Sequence, residues 1–195
     1  MTLRRLCVYC GSKAGYRPDY AAAARALGAL LAEEGVGLVY GGASVGLMGV
    51  VADAVLDGGG EALGVLPHGL AAKEVAHPGL TELFLVSSMH ERKALMADLA
   101  DAFVALPGGL GTLEEIAEAL TWAQLGIHHK PCGLLNVAGF FDGLVAYLDH
   151  AAAEGLLRPE HRALLVVAET PEALLDRFRA YHPPEIPQWI SRRET

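Results

Sequence analysis

Short apolar runs alternate along this chain with longer stretches in which apolar residues recur at helical spacing. Several of the runs contain hardly any polar residue, which is typical of strands covered on both faces of a parallel sheet. The pattern predicts seven strands, at Leu3–Tyr9, Gly37–Tyr40, Glu61–Leu66, Leu80–Val86, Ala102–Leu106, Cys132–Val137 and Leu164–Val167. It predicts helices between them, most clearly at Asp19–Glu34, Leu47–Asp57, Met89–Asp98, Thr112–Leu125, Phe140–Glu154 and Pro171–Tyr181.

The repeated order of strand, helix and strand predicts an α/β fold, a doubly wound parallel sheet of about seven strands with helices on both faces. At 195 residues the chain is long enough for one such domain and short for two, so we expect a single domain over residues 1–181. The proline-rich residues 182–195 are expected to form an extended tail. Residues 67–79, which show no periodicity, are expected to form a loop at the sheet edge that helps to close a site.

Composition and charge argue against two classes of binding partner, nucleic acids and membranes. A formal net charge of -8 and an aromatic share of 7% argue against nucleic-acid binding, which relies on clustered Lys and Arg and on stacking aromatics. No apolar run has the length of a membrane span. Cys7, Cys10 and Cys132 are too few for a disulfide framework, so we expect reduced thiols and a cytoplasmic location, with no membrane partner.

A glycine-rich turn at residues 107–112, Pro-Gly-Gly-Leu-Gly-Thr, follows one predicted strand directly and opens a predicted helix. Glycines let an anion approach backbone N–H groups, and the helix start adds unpaired N–H groups and a positive dipole end. The turn therefore predicts a phosphate site. Tight packing of the helix on the strand is the alternative explanation of its glycines.

Three residues after the glycines carry candidate chemistry. Thr112 is placed to cap the helix or to bind the phosphate, and Glu114 and Glu115 follow within the first turn. Carboxylates are common in first helical turns because of the dipole, so either one has a structural explanation. Adjacent helical side chains point in different directions, which predicts that only one of the two faces a ligand.

Arg92 and Lys93 lie near the start of another predicted helix, where the dipole favours anions. Their position is explained by a bound phosphate or another substrate oxygen, or alternatively by a solvated helix face. The turn at residues 41–46 is a second glycine-rich candidate for facing a ligand, with packing again as the alternative.

Other site classes fit poorly. The turn at 107–112 lacks the spacing of a dehydrogenase fingerprint and the Lys of a kinase phosphate loop. None of the eight histidines stands with a carboxylate in a metal-binding pattern, so we expect no metal and no other cofactor.

The motifs resemble the Lonely Guy family, the cytokinin riboside 5'-monophosphate phosphoribohydrolases. Residues 107–115 match its pattern Pro-Gly-Gly-x-Gly-Thr-x-x-Glu, and the similarity extends over roughly residues 6–178. It includes Cys-Gly-Ser at 10–12, Tyr-Gly-Gly at 40–42, the segment 89–93 and Thr-Trp-Ala-Gln-Leu-Gly at 121–126.

The resemblance implies a Rossmann-like homodimer that hydrolyses adenine-type nucleoside 5'-monophosphates, N6-substituted or AMP itself, to free base and ribose 5-phosphate. It implies that Glu115 and Arg92 form the catalytic pair. It places the substrate-binding residues within the shared motifs, at Gly11, Ser12, Gly42, Met89, Arg92, Lys93, Gly108, Gly109, Leu110, Gly111, Thr112, Leu113 and Glu114.

Two other functions compete with this hypothesis. A nucleotide- or molybdenum-cofactor-binding carrier is possible on the same fold, since fold does not determine function. The simultaneous presence of Arg92 and Glu115 favours the enzyme. Amino-acid decarboxylation is the second, and none of the four lysines stands in a context that suggests a pyridoxal phosphate Schiff base.

Overall fold

Seven strands form one sheet in the computed structural model of the chain, which describes residues 2–71 and 76–190. In chain order they are β1 (Arg5–Tyr9), β2 (Gly37–Tyr40), β3 (Ala62–Pro67), β4 (Glu82–Val86), β5 (Ala102–Ala105), β6 (Cys132–Leu135) and β7 (Leu165–Ala168). All neighbouring strands pair in parallel, in the spatial order β4-β3-β2-β1-β5-β6-β7. The predicted α/β fold with a seven-stranded parallel sheet is confirmed.

Helices connect the strands. The long ones are α1 (Pro18–Glu33), α2 (Gly46–Asp57), α4 (Met89–Leu99), α5 (Leu110–Gln124), α6 (Asp142–Ala153) and α8 (Pro171–Arg179), and the four-residue α3 (His68–Ala71) and α7 (Pro159–Arg162) complete the series. A short 3-10 helix covers Val137–Gly139. Among the described helices, none is long and apolar enough to cross a membrane.

Two hydrophobic clusters cover the two faces of the sheet. On one face Leu27 of α1, Val51 of α2 and Phe178 of α8 belong to a single buried cluster. On the other face Met96 of α4 and Ile116 of α5 belong to a second cluster, and side chains of α6 pack against it. Helices therefore lie on both faces, as the apolar runs predicted.

Several predicted boundaries were wrong by a few residues. The helix predicted to begin at Thr112 begins at Leu110, so Gly109 is the N-cap residue and Thr112 lies inside the first turn. The predicted sixth strand is shorter than expected because the Asn136 side chain accepts a hydrogen bond from the Phe141 N–H and donates one to Asp142, which bends the chain. The segment 67–79 is not simply a loop, since it contains the end of β3 and α3, and its residues 72–75 lie outside the described chain.

The C-terminal tail crosses the end of α5. Residues 181–189 have no helix or strand, and the Trp189 N–H donates a hydrogen bond to the Leu125 carbonyl at 3.0 Å. Gly126, at φ 74°, passes so close that a Cβ there would lie 2.7 Å from the Gln188 Cα.

The strand order reverses between β1 and β5, because the chain builds the sheet outward from β1 to β4 and then continues on the other side of β1. In open α/β sheets a cleft forms beyond the carboxyl ends of the strands at such a reversal. The turns after β1 and β5 meet there, and the Gly11 N–H donates to the Pro107 carbonyl at 3.1 Å.

Candidate active site

A cleft of about 380 Å³ opens at the carboxyl ends of the central strands. It extends from the start of α5 across the turns after β1 and β2 to α3 and α4. Its walls come from residues distant in the chain: Val8, Tyr9, Cys10, Gly11, Ser12, Gly41, Met48, Leu70, Met89, Arg92, Met96, Gly109, Leu110, Gly111, Thr112, Glu114 and Glu115.

The glycine-rich turn forms one end of the cleft, and its glycines serve different purposes. A Cβ on Gly108 would collide with the Thr112 side chain, so this glycine is required by packing. A Cβ on Gly109 or Gly111 would meet no heavy atom of the described chain within 4 Å, and neither residue has a positive φ. Packing therefore does not explain Gly109 and Gly111, whereas open access to the first N–H groups of α5 does.

Arg92 and Glu115 face each other across the cleft wall, one from α4 and one from α5. Both are only 8% exposed, and the Arg92 Nη2 lies 3.7 Å from the Glu115 Oε1. This separation makes an ion pair and exceeds a normal hydrogen bond.

The Arg92 guanidinium keeps unused donors. Its Nε has no hydrogen-bond partner among the described residues, and its Nη1 contacts the weak acceptor Met89 Sδ at 3.7 Å. A buried donor without a partner costs about 1–3 kcal/mol.

Helix capping and a glycine place the Arg92 side chain. The Ser88 Oγ accepts a hydrogen bond from the Glu91 N–H, and the Glu91 carboxylate accepts one from the Ser87 N–H, which fixes the start of α4. A Cβ on Gly41 would collide with Arg92 Nη2 and would lie 3.2 Å from Met48 Sδ. The glycine after β2 thus makes room for the guanidinium.

The acidity of Glu115 is altered by its surroundings. Burial raises the pKa of the Glu115 carboxyl to about 7, while the positive charge of Arg92 opposes the rise and the negative charge of Glu114 adds to it. A carboxyl group with a pKa near neutrality can hold or release a proton under physiological conditions. This is the property expected of an acid–base group in an active site.

Lys93 has a different environment from Arg92. Its side chain is buried, and its Nζ lies 2.5 Å from Glu114 Oε1 and 3.1 Å from Glu118 Oε1. Burial alone would lower the pKa of Lys93, but the hydrogen bonds to the two carboxylates outweigh burial and raise it.

Ten residues of the predicted site line the cleft: Gly11, Ser12, Met89, Arg92, Gly109, Leu110, Gly111, Thr112, Glu114 and Glu115. Gly108 lines a second cavity of about 250 Å³, which shares Gly11, Ser12 and Gly109 with the first. The structure does not bring Gly42, Lys93 or Leu113 to the described lining of either cavity. Gly42 instead adopts φ 79°, and its carbonyl accepts a hydrogen bond from the His77 N–H.

Sequence reasoning missed several lining residues. Met48 and Met96 lie on helices whose spacing marks them only as core residues, and Leu70 lies in the segment interpreted as a loop. Gly41 belongs to the second glycine-rich turn, so its role could have been found from that motif.

Comparison with known proteins identifies the family that the chain resembles. The family model described as "Possible lysine decarboxylase" matches residues 48–178. The chain is 53% identical over 181 residues to the probable cytokinin riboside 5'-monophosphate phosphoribohydrolase LOGL5 of Oryza sativa subsp. japonica, covering 93% of this chain and 74% of that protein. It is 49% identical over 180 residues to the cytokinin riboside 5'-monophosphate phosphoribohydrolase LOG7 of Arabidopsis thaliana, covering 92% and 83%.

Solved structures share the fold at lower identity. The molybdenum cofactor carrier protein of Chlamydomonas reinhardtii matches with a TM-score of 0.70 and 22% identity, over 92% of this chain and 100% of that chain. The molybdenum cofactor binding protein of Rippkaea orientalis matches with a TM-score of 0.69 and 24% identity, over 92% and 98%. At this identity the likeness concerns the fold alone.

Proposed function

Because the chain belongs to the Lonely Guy family, whose curated members are named cytokinin riboside 5'-monophosphate phosphoribohydrolases, we propose that it hydrolyses the N-glycosidic bond of adenine-type nucleoside 5'-monophosphates. The products are the free base and ribose 5-phosphate. The observation that carries this proposal is the buried pair of Arg92 and Glu115 in the wall of a cleft that ends at an open helix start.

The phosphate binds at the start of α5. The open positions of Gly109 and Gly111 leave the first N–H groups of the helix accessible, and the dipole of α5 adds positive potential. Ser12 and Thr112 add hydroxyl groups to the same end of the cleft. A nucleoside without phosphate would leave this part of the site unused.

The base lies toward the opposite end of the cleft. Strand order places the β5 turn and α3 three strand spacings apart, roughly 14 Å at about 4.8 Å per strand. That end is lined by Met48, Leu70 and Met89, apolar side chains suited to a flat ring. The ribose then lies between the two ends, next to Glu115.

Departure of the base gives the ribose the character of an oxocarbenium ion, which a nearby carboxylate stabilises. Ionised Glu115 supplies that charge and can also take a proton from the attacking water. Arg92 holds Glu115 and donates hydrogen bonds to the substrate. An arginine guanidinium stays charged in a protein, so Arg92 binds and orients the substrate and does not donate the proton that the departing base takes up.

A carrier function is not proposed, since the likeness to the cofactor carriers lies under 25% identity. Lysine decarboxylation is likewise not proposed. Lys93 is engaged by two carboxylates, and the Lys130 Nζ donates hydrogen bonds to the carbonyls of Ala97 and Ala100.

The proposal includes a cytoplasmic homodimer. Buried free thiols at Cys7, Cys10 and Cys132 suit a reducing compartment. On α5, Leu110 in the cleft lining is 86% exposed and Leu113 outside the lining is 42% exposed, which suits burial of this helix face against a second copy. Light scattering at micromolar concentration is expected to give twice the monomer mass, and a monomer would refute the dimer. Fractionation of cells tests the cytoplasmic location separately.

The experiment that tests the reaction is a substrate comparison. The protein is incubated with AMP, isopentenyladenosine monophosphate, other nucleoside monophosphates and the corresponding nucleosides, and free base is separated by chromatography. We expect kcat/KM for adenine-type monophosphates to exceed that for their nucleosides by at least about a hundredfold, since charged hydrogen bonds to the phosphate are lost in the nucleoside. Equal rates for AMP and adenosine would refute the phosphate site, and no base release from any monophosphate would refute the activity.

A further inference from the structure

Successive residues of α4 pair with successive residues of α5. Arg92 faces Glu115, and the next residue, Lys93, bonds to Glu114, with 2.5 Å between Nζ and Oε1. Lys93 also bonds to Glu118, one helical turn further along α5, with 3.1 Å between Nζ and Oε1. The two helices are therefore joined by a buried lysine immediately beside the pair proposed to act on substrate.

We propose that Glu118 is a positioning residue for the reaction, acting together with Glu114 to hold Lys93 and thereby to fix α4 against α5 where Arg92 faces Glu115. We name the three residues Lys93, Glu114 and Glu118 the lysine clasp. The inference rests on the proposed function, and it assigns Lys93 to the framework of the site.

Burial supports this assignment. The Lys93 side chain is 8% exposed, and burial alone would lower the pKa of its ammonium group, so the two carboxylates favour the charged form. Glu118 is the less exposed of its two partners, at 25% against 53% for Glu114. Water screens the attraction of a less exposed carboxylate less strongly, so Glu118 holds Lys93 with little competition from solvent.

Geometry also makes Lys93 a poor substrate ligand. Lys93 lies outside the described lining of the cleft, although the preceding residue Arg92 forms part of it. Neighbouring residues of a helix point about 100° apart, so Arg92 can face the cleft while Lys93 faces α5.

The clasp also sets the charge around Glu115. Two cations, Arg92 and Lys93, stand against Glu114 and Glu118, so the group is neutral until Glu115 ionises. Removing the charge of Glu118 therefore favours ionised Glu115, and removing the charge of Lys93 disfavours it. On β1, Cys7, Tyr9 and Cys10 also lie within electrostatic reach of Glu115. Burial raises the pKa of each of these three groups, so they stay neutral and add no charge near Glu115.

The test compares Glu118→Gln and Lys93→Met with the control Glu172→Gln, which changes an exposed carboxylate at the start of α8. In Glu118→Gln we expect kcat for AMP to fall about tenfold, because Arg92 and Glu115 are held less firmly in place. KM should change less than about twofold, because Glu118 does not bind the substrate. The midpoint of the acidic limb of the kcat–pH profile should move to lower pH in Glu118→Gln and to higher pH in Lys93→Met. Lys93→Arg, which keeps the charge, should restore the midpoint.

A second readout needs no substrate. The Glu115 carboxyl carbon is followed by NMR across the pH range, with Glu115→Gln to identify its signal. The titration midpoint of Glu115 should again move to lower pH in Glu118→Gln and to higher pH in Lys93→Met. Opposite shifts support the clasp even if AMP is not hydrolysed, so the two proposals fail separately. The clasp is overturned if Glu118→Gln matches the Glu172→Gln control in kcat and midpoint, or if it lowers only thermal stability.

Discussion

Arg92 Nη2 and Glu115 Oε1 lie 3.7 Å apart across α4 and α5, close enough to attract and too far for a normal hydrogen bond. The two groups therefore attract each other without forming a hydrogen bond. Glu115 keeps a pKa near 7 because burial outweighs the attraction of Arg92. Arg92 lines the cleft, and its Nε has no hydrogen-bond partner among the described residues. A shorter bidentate pair would have held Glu115 ionised and left both groups less available to a substrate.

The first prediction concerns the charge of Glu115. Replacing Glu115 with Gln keeps its size but removes the negative charge that faces the ribosyl cation. Charge stabilisation made only in the transition state typically contributes about 3 kcal/mol, so kcat should fall roughly a hundredfold or more. The affinity for AMP, measured by calorimetry, should change little.

Glu114→Gln is the matched control. Glu114 shares the helix dipole, but its side chain is half exposed and bonds to Lys93. Its replacement should reduce kcat far less than the replacement of Glu115. Equal losses in the two variants, or near-normal turnover in Glu115→Gln, would remove Glu115 from the catalytic role.

The second prediction concerns stability and pH. Burial raises the pKa of Glu115 from an ordinary 4.5 to about 7, so the folded protein binds this proton more tightly than the unfolded chain. The free energy of unfolding should therefore fall as pH rises from about 4.5 to about 7. Glu115→Gln should be more stable than the wild type at pH 8, by up to about 3 kcal/mol.

Urea unfolding at pH 8 and at pH 5 measures this difference. Most of the advantage of Glu115→Gln should disappear at pH 5, where wild-type Glu115 is protonated in the folded protein. An advantage of the same size at both pH values would mean that ionisation of Glu115 does not cause it.

The third prediction separates binding from packing in the glycine-rich turn. Gly111→Ala places a methyl group in open space at the start of α5, so the fold should be unchanged or up to about 1 kcal/mol more stable. The affinity for AMP should fall about tenfold or more, because the methyl group obstructs the phosphate. Gly108→Ala should instead lower the melting temperature, since its Cβ collides with Thr112. Unchanged AMP affinity in Gly111→Ala would contradict the phosphate site.

The fourth prediction concerns Gly41. A Cβ there would collide with the end of the Arg92 side chain, which can swing away at little cost to the fold. Gly41→Ala should reduce kcat/KM at least about tenfold while unfolding changes by less than about 1 kcal/mol. Gly143→Ala, where the added Cβ meets no described atom within 4 Å, is the control and should keep full activity. Full activity in Gly41→Ala would show that Arg92 needs no such space.

The fold could be predicted from sequence because a buried parallel strand requires apolar side chains on both faces, as Leu134 and Leu135 of β6 show. The ends of strands and helices were harder to predict, since they depend on single side-chain hydrogen bonds such as those of Asn136. The short α3 lacks any periodic signal, because four residues are too few to show one.

The site was accessible only as far as adjacent residues specify it. The turn at 107–112 and the neighbours Glu114 and Glu115 stand together in the chain, so a site there could be inferred. Only one of the two carboxylates was expected to face it, whereas both line the cleft. The pairing of Lys93 with Glu118 depends on the packing of α4 against α5, which no local pattern records. The open space at Gly109 and the collision at Gly108 look identical in sequence and differ only in three dimensions.

The contact of the tail with the end of α5 has a practical consequence for experiments on this protein. The helix begins at the cleft and ends beside Trp189, and its 15 residues measure about 22 Å at about 1.5 Å per residue. Trp189 therefore sits at the edge of the sheet opposite the cleft. A surface tether or fluorescent label attached at Trp189 would leave the entrance to the cleft clear, so immobilised protein can be assayed directly for nucleotide binding.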